Sequence, residues 1–358
     1  MKNIVIFGYF GQGNLGDETN LQELIKVLRD LVLEVKITVI SAVPELTAQE
    51  HQVTGVGKFD VFGIIRALAE ADLLIGNGGS HFQEITSKRS LFYYSALIII
   101  AKLLKVKIFL YGQGIGPIKS RIGKFLAGQA LSMVNVITVR DRLSIVATSE
   151  LNVCKPEIHF TAEPLLALKG LEEHAARNYW AELDAGHQKK IGLVIRDYTF
   201  IKKEFWDQLL DYLGWETNTG VYLVPVQPKD RGYLQELSTN YGLTILPSDS
   251  GWNQLQQNVG GLDLLVSSRL HGLVAGVLQG IPCYGLAADP KVEGFCLQLG
   301  IPFTLLNFET ESTALYNKIS YYFVHSDEEA LAYRSKLSFW KARALENRVI
   351  LKQFLAKI

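Results

Sequence analysis

The chain of 358 residues is long enough for two domains of ordinary size, and a hydrophobic content of 48% supports well-filled cores. Lysine plus arginine and aspartate plus glutamate number 36 each, so the net charge of zero does not indicate attraction of the whole protein to nucleic acid, although a local basic patch is left open. The three cysteines do not have metal-ligand spacing, which argues against a zinc site and suits a reducing compartment.

The first half alternates strand-like and helix-like segments. Apolar β-branched residues 2–8 predict a buried strand that ends in a glycine-rich turn, and apolar residues at helical spacing predict a helix over 18–33. The same reading gives strands at 36–41, 71–76, 106–111 and 136–139, and helices at 61–69, 91–104, 119–133 and 142–150. This order predicts βαβ units and a parallel sheet.

The second half repeats the pattern. Strands are predicted at 190–195, 220–226, 243–246, 262–266 and 283–286, and helices at 203–213, 230–241 and 252–260. The charged segment 165–189 is interpreted as a linker between the halves, and 328–358 as a long amphipathic helix or helix pair. We therefore predict two Rossmann-like α/β domains facing across a cleft, as in glycosyltransferase-B folds. The domains are 1–168 on the acceptor side and 169–335 on the donor side, with 336–358 packing back on the first.

Three loops in the first half follow the predicted strand ends and carry glycines beside polar side chains. The carboxyl ends of parallel strands meet at one edge, so these loops are expected to converge there. The spacing Gly11-x-Gly13-x-x-Gly16 fits a dinucleotide fingerprint, which is a weak signal, and it fits a tight turn equally well. The candidate acceptor-binding residues in these loops are Tyr9, Phe10, Gly13, Asn14, Asn77, Ser80 and Gln113.

The segment SSRLHG (267–272) joins a buried strand to a helix in the second half. It places the cation Arg269 and the imidazole of His271 where a helix begins, which suits an anion that needs a proton. Ser268, Arg140 and Lys291 also follow strand ends, so a positive cluster is expected from Arg140, Arg269, His271 and Lys291. The alternative is a structural loop histidine with a surface arginine. The other histidines, His81 among them, are interpreted as surface or packing residues.

Neither a GxSxG nucleophile motif, an HExxH motif nor a P-loop is present, so hydrolysis by serine or metal lacks support. The chain begins with a strand rather than a signal peptide, and its longest apolar run, 95–104, is too short to span a bilayer. We therefore expect a cytoplasmic protein without a metal or cofactor. Peripheral contact with the inner face of the membrane is left open.

These motifs together resemble the polysaccharide pyruvyl transferase family, in particular its CsaB-like members, which pyruvylate cell-wall polymers. The matching stretches occur in family order from residue 4 to about 300: GYFGQGNLGDE, ADLLIGNGGSHFQEITSKRSLFYY, YGQGIGP, TVRDRLS, SSRLHGLVAGVLQGIPCYGL and DPKV. The resemblance implies phosphoenolpyruvate as donor, a sugar with two neighbouring hydroxyls as acceptor, and a pyruvate ketal and phosphate as products. A role in surface-layer anchoring and a lipid-linked acceptor are further implications.

The resemblance places Arg140, His271 and Lys291 around the donor, and Tyr9 and Phe10 near the acceptor. The expected mechanism has Arg140, Arg269, Lys291 and Ser268 binding phosphoenolpyruvate while His271 donates a proton to its methylene carbon. Glu163 and Glu84 stand where family members often have aspartate, and neither is given a catalytic role. The alternatives are a nucleotide-sugar glycosyltransferase, with Glu293 as a candidate ribose ligand, and a non-catalytic sugar-binding protein.

Overall fold

A computed structural model describes residues 1–85, 88–184, 186–214, 218–248 and 251–358. The chain divides into two compact units, Met1–Ala167 with Lys341–Ile358, and Leu168–Trp340. Each unit contains one parallel sheet covered by helices, which confirms the prediction of two Rossmann-like α/β domains.

The first unit is built on a seven-stranded parallel sheet with the order β3-β2-β1-β4-β5-β6-β7. Its strands are β1 (Lys2–Phe7), β2 (Val35–Ser41), β3 (Thr54–Gly57), β4 (Leu73–Asn77), β5 (Lys107–Gln113), β6 (Val136–Val139) and β7 (Glu157–Phe160). Its helices are α1 (Leu15–Leu31), α2 (Pro44–His51), α3 (Val61–Ala69), α4 (Lys88–Leu103), α5 (Arg121–Leu131) and α6 (Arg142–Glu150).

Both faces of this sheet are buried, which explains the continuous apolar runs in its central strands. Along β1, Val5 and Phe7 belong to one core cluster, and Ile4 and Ile6 to the cluster on the other face. Successive side chains of a strand point to opposite faces, so β1 contributes to both cores. The predicted apolar stripe of α1 is buried in the second of these clusters.

The second unit has a six-stranded parallel sheet with the order β10-β9-β8-β11-β12-β13. Its strands are β8 (Lys189–Val194), β9 (Thr219–Leu223), β10 (Thr244–Ile245), β11 (Leu264–Ser267), β12 (Cys283–Ala287) and β13 (Phe303–Leu305). Its helices are α7 (Glu173–Leu183), α8 (Lys203–Gly214), α9 (Arg231–Tyr241), α10 (Gly251–Gly260), α11 (Leu270–Leu278), α12 (Pro290–Leu299) and α13 (Ser312–Val324).

The last helix, α14 (Ser326–Leu355), belongs to the second unit up to Trp340 and to the first unit from Lys341. Within the first unit, Asn347 is fully buried and bonds to Thr161 and to the carbonyl of Ala162. The ring of Phe354 packs against Phe109 of β5. The end of the chain is therefore part of the first unit's core.

The structure corrects the interpretation of residues 165–189 as a linker. This segment contains α7, whose Trp180 is 4% exposed and donates its indole N–H to the Gln257 carbonyl. The charged residues of α7 weaken its hydrophobic periodicity, so the sequence pattern did not predict this helix. Among the described residues, none of the helices combines the length and the apolar character needed to cross a membrane.

Candidate active site

The loops that follow β1, β4 and β5 meet at the carboxyl edge of the first sheet, where these three strands are neighbours. The side-chain amide of Gln113 donates to the carbonyl of Gly78 at 2.6 Å and to that of Gly76 at 3.2 Å. The backbone N–H of Gly114 donates to the Gly79 carbonyl at 2.8 Å. These bonds fix the β4 and β5 loops against each other.

The first glycine-rich turn is closed by a carboxylate of the protein itself. Glu18 of α1 accepts the backbone N–H of Gly11 at 2.8 Å, and the N–H groups of Gln12 and Gly13 also interact with it. Burial raises the pKa of Glu18 to about 7, against the lowering effect of these N–H groups. Since Glu18 accepts the N–H groups that a phosphate would need from this turn, the tight-turn interpretation is favoured over the dinucleotide fingerprint.

Of the predicted aromatic pair, only Tyr9 is available to a ligand. Tyr9 is 42% exposed, whereas Phe10 is 2% exposed and belongs to the core beside α1. A Cβ added at Gly8 would lie 2.3 Å from the Phe10 ring, so Gly8 makes room for this inward orientation. The structure therefore corrects the assignment of Phe10 as an acceptor-binding residue.

Gln113 also differs from its prediction. Its side chain is fully buried, with the amide nitrogen bonded to two carbonyls and the amide oxygen 3.1 Å from Nδ1 of His81. All its polar atoms are engaged within the protein, so Gln113 positions other groups rather than binding a ligand directly.

The remaining predicted acceptor residues lie around the same edge. Asn77 is 1% exposed, and neither atom of its side-chain amide has a hydrogen-bond partner among the described residues. Ser80 is partly exposed, Gly13 is exposed with a φ of +68°, and Asn14 bonds to Asp17 at the start of α1. Their predicted role in acceptor binding stays a prediction.

Arg140, just beyond β6, is 4% exposed and surrounded by polar partners of the first unit. Its guanidinium donates to Glu163 at 2.9 Å and to Ser80 at 2.8 Å, and Asp141 lies at 3.5 Å. Glu163 also accepts from Asn20. The sequence indicated Asp141 as an alternative partner of Arg140, and this ion pair is present, but it did not indicate Glu163 or Ser80. The predicted contact of Arg140 with the donor stays a prediction.

The second unit carries four cations beyond the carboxyl ends of four adjacent strands. Arg196 follows β8, Lys229 follows β9, Arg269 follows β11 and Lys291 follows β12. The pKa of Lys229 is lowered by burial and by the positive charges of Arg269, Arg196 and Lys291, against the raising effect of Asp230. The other three cations thus act electrostatically on Lys229, as expected where positive charges gather at an anion site.

Two of these cations are compensated by aspartates. Arg269 is 7% exposed and donates to both carboxylate oxygens of Asp230, one of them at 2.7 Å. Lys291 lies 3.2 Å from Asp289, which caps α12. In the described part of the chain, Arg196 and Lys229 form no ion pair. Their charges are therefore available to an anionic ligand.

Sequence reasoning missed Arg196, Lys229 and Asp230. A signal was available, because Arg196 and Lys229, like Arg269, follow buried strands. Neither belongs to a recognised motif, however, and the pairing of Asp230 with Arg269 joins residues far apart in the chain.

Ser268 and His271 lie where β11 passes into α11. Ser268 is 2% exposed and its hydroxyl donates to the carbonyl of Val194 at 2.9 Å. The hydroxyl proton of Ser268 is thus engaged within the second unit, and the predicted contact of Ser268 with the donor stays a prediction. His271 is partly exposed in the first turn of α11, at the positive end of the helix dipole.

The described residues hold no group of three or more His, Cys, Asp or Glu side chains that could bind a metal ion.

The carboxyl edge of the first sheet is rich in amides, hydroxyls and glycines, and that of the second sheet is rich in cations. A two-unit α/β protein of this kind belongs to the glycosyltransferase-B-like class of folds.

The comparisons with known proteins agree with this class. Anabaena HepE in complex with UDP and glucose superimposes with a TM-score of 0.67 at 14% identity, over 100% of both chains. Staphylococcus aureus MnaA in complex with UDP gives 0.68 at 11% identity over 100% of this chain and 98% of its own. Neisseria meningitidis UDP-GlcNAc 2-epimerase gives 0.64 at 11% identity over 99% and 100%. At these identities the similarity establishes the fold alone.

The sequence profile of the polysaccharide pyruvyl transferase family matches residues 14–290. The chain therefore belongs to the polysaccharide pyruvyl transferase family, as its motifs indicated. No curated protein matches its sequence.

Proposed function

We propose that this protein transfers the pyruvyl group of phosphoenolpyruvate to two hydroxyls of a sugar, forming a pyruvate ketal and releasing phosphate. The observation that carries the proposal is the set of four cations at adjacent strand ends of the second unit, in a chain of this family. Phosphoenolpyruvate carries a carboxylate and a phosphate, so several separate cations suit it better than a single anion site would.

In the proposed donor site, Arg196, Lys229 and Lys291 bind the two anionic groups, and the N-terminus of α11 adds its dipole. Arg269, held in one orientation by Asp230, supplies the remaining guanidinium N–H groups. The charge of phosphoenolpyruvate is then met by side chains, and the reaction as proposed needs no metal or other cofactor.

The proposed reaction begins with proton transfer from His271 to the methylene carbon, which leaves a cationic character on the carbon that bears the phosphate. A sugar hydroxyl attacks that carbon and loses its proton, and the bond to the phosphate oxygen breaks. The second hydroxyl then attacks and loses its proton, closing the ketal. One of the two hydroxyl protons restores His271, and the other leaves with phosphate.

The sugar acceptor is proposed to bind at the loops of the first unit, through the exposed Tyr9 ring and the side chains of Asn77 and Ser80. A precursor of a cell-wall or surface polysaccharide in the cytoplasm, linked to a lipid at the inner face of the membrane, is the acceptor that we propose. The three cysteines support this compartment, because all three are free thiols, two of them buried.

The second candidate is a nucleotide-sugar glycosyltransferase. It is favoured by the similarity to HepE, whose structures contain UDP, glucose and UDP-glucose. In this candidate the cations of the second unit would bind a diphosphate instead of phosphoenolpyruvate. A non-catalytic sugar-binding protein is disfavoured, because four neighbouring cations are costly to hold together for neutral sugars.

The purified protein should be incubated with phosphoenolpyruvate and a panel of UDP-linked and lipid-linked sugars, with phosphate release and the acceptor's mass as readouts. We expect phosphate release that depends on the acceptor, and a product that carries the pyruvate ketal. His271→Ala should lower turnover about 10²–10⁴-fold with little effect on donor binding. Exposed His174→Ala is the matched control. UDP release from a UDP-sugar, without any phosphate release, would overturn the proposal.

A further inference from the structure

The end of β4 and the loop that follows it hold two buried polar side chains with unused hydrogen-bonding capacity. His81 is 3% exposed, and its Nε2 atom has no hydrogen-bond partner among the described residues. The side-chain amide of Asn77, four residues earlier, has none either. Buried polar groups in folded proteins nearly always have partners, so these groups call for a ligand or a bound water.

The hydrogen bonds of Gln113 decide which nitrogen of His81 carries the proton. The Gln113 amide nitrogen faces two backbone carbonyls, of Gly76 and Gly78, and only an N–H group can bond to both. Its amide oxygen therefore faces Nδ1 of His81, at 3.1 Å. An amide oxygen only accepts, so Nδ1 carries the hydrogen and Nε2 presents a lone pair.

The His81 ring is also kept neutral and fixed in place. Burial lowers its pKa to about 3, the bond to Gln113 opposes this shift, and the charge of Arg140 adds to it. The ring packs beside Tyr94 and Phe7, with centroid distances of 4.4 and 5.7 Å. At neutral pH, Nε2 is thus a hydrogen-bond acceptor with a fixed direction.

Gly79 leaves space beside this acceptor. Gly79 is partly exposed and has a φ of +68°, and a Cβ added there would lie 3.1 Å from Nε2 of His81 and 3.3 Å from Oδ1 of Asp17. Both atoms accept hydrogen bonds, so a group that approaches past Gly79 must donate. A sugar hydroxyl meets this requirement, whereas an ionised carboxylate or a fully ionised phosphate has no hydrogen to donate.

We propose that His81 Nε2 accepts a hydrogen bond from a hydroxyl group of the acceptor sugar, which makes His81 a substrate-binding residue. This inference rests on the proposed function, in which the first unit binds a sugar. It gives the β4 loop selectivity for the neutral, hydroxylated substrate over the anionic donor. An imidazole this weakly basic accepts a hydrogen bond from the hydroxyl but does not remove its proton. Another group therefore deprotonates the hydroxyl.

The direct test is ¹⁵N NMR of the histidine side chains in the native protein, with the His81 signals assigned from their loss in His81→Leu. Methyl glycosides of galactose and N-acetylmannosamine serve as probes, each with and without phosphoenolpyruvate. We expect the Nδ1–H form between pH 5 and 8, and a change of the Nε2 shift on adding a glycoside that supports phosphate release. Phosphoenolpyruvate alone should leave that shift unchanged.

Kinetics give a second readout with the same glycosides. His81→Leu should raise KM for the glycoside about tenfold or more, because a buried hydrogen bond is lost, and leave KM for phosphoenolpyruvate unchanged. His81→Gln, which can present an oxygen acceptor, should recover part of the loss. The exposed His174→Leu is the control, and circular dichroism verifies that each variant is folded.

The outcomes separate the two proposals. Phosphate release without any Nε2 shift would overturn the role of His81 and leave an internal water only. An Nε2 shift without phosphate release would support the sugar site and overturn pyruvyl transfer. The His81 proposal would be overturned if Nε2 carried the hydrogen in the native protein. It would also be overturned if neither the Nε2 shift change nor phosphate release were observed.

Discussion

Arg269 and Asp230 form a two-bond ion pair in which both side chains are less than one-tenth exposed. Arg269 precedes the first turn of α11, and Asp230 precedes α9. The pair therefore connects the ends of two strands, β9 and β11, that are separated by β8 in the sheet. It fixes the guanidinium and compensates one of four neighbouring cations.

Asp230→Ala should destabilise the second unit by about 3–5 kcal/mol, because the buried Arg269 loses its compensating charge. Urea unfolding followed by tryptophan fluorescence reports on this unit, since all five tryptophans fall within 168–340. The exposed Asp211→Ala on α8 is the control. A double variant, Asp230→Leu with Arg269→Leu, should be less destabilised than Asp230→Ala; equal destabilisation would contradict the charge argument.

Lys229→Ala should raise KM for phosphoenolpyruvate about tenfold, because a charge-assisted hydrogen bond to the donor is lost. The effect should shrink as ionic strength rises. Steady-state phosphate release at several donor concentrations measures it. Lys203→Ala removes an exposed lysine that is already paired with Glu236, so it should have no effect. An unchanged KM in Lys229→Ala would remove Lys229 from the donor site.

Glu18 should make the stability of the first unit depend on pH. Its pKa in the folded chain, about 7, is above the ordinary value of 4.5, so the folded state binds the proton more tightly. The resulting stabilisation is complete below pH 4.5 and is lost as the pH rises through about 7. A shift of this size corresponds to at most about 3 kcal/mol.

Glu18→Gln should therefore flatten the pH dependence between pH 4.5 and 7. Native-state hydrogen exchange of the β1 peptide, corrected for the intrinsic rate at each pH, measures the free energy of opening. Glu23→Gln on the same helix is the control, since its side chain is partly exposed and bonds to the exposed Lys26. An unchanged slope in Glu18→Gln would show that another group titrates.

Gly261→Ala should destabilise the second unit by about 1–3 kcal/mol, because a Cβ there would lie 2.0 Å from the Trp180 ring. Gly232→Ala in α9 is the matched control, since no atom lies within 4 Å of its added Cβ. It should stabilise α9 by up to about 1 kcal/mol, the difference in helix propensity. The midpoints of thermal unfolding are measured for the two variants. Similar midpoints would contradict the packing argument.

The alternation of buried strands and amphipathic helices could be predicted from the sequence, because hydrophobic periodicity is a local property of the chain. Edge strands such as β3 and β7 were missed, since four partly exposed residues carry little pattern. Helix α7 was missed because charged residues surround the face on which Trp180 is buried.

The sequence by itself determined the fold class, the family and the strand ends that carry polar and charged groups, because these follow from periodicity and from contiguous motifs. Only the tertiary structure decided what each group contacts. It turned Phe10 and Ser268 inward, gave Arg269 its partner Asp230, filled the glycine turn with Glu18 and left a lone pair on His81 Nε2. Burial and hydrogen bonding bring together residues that are distant in the chain. Such contacts cannot be predicted from the local spacing of residues.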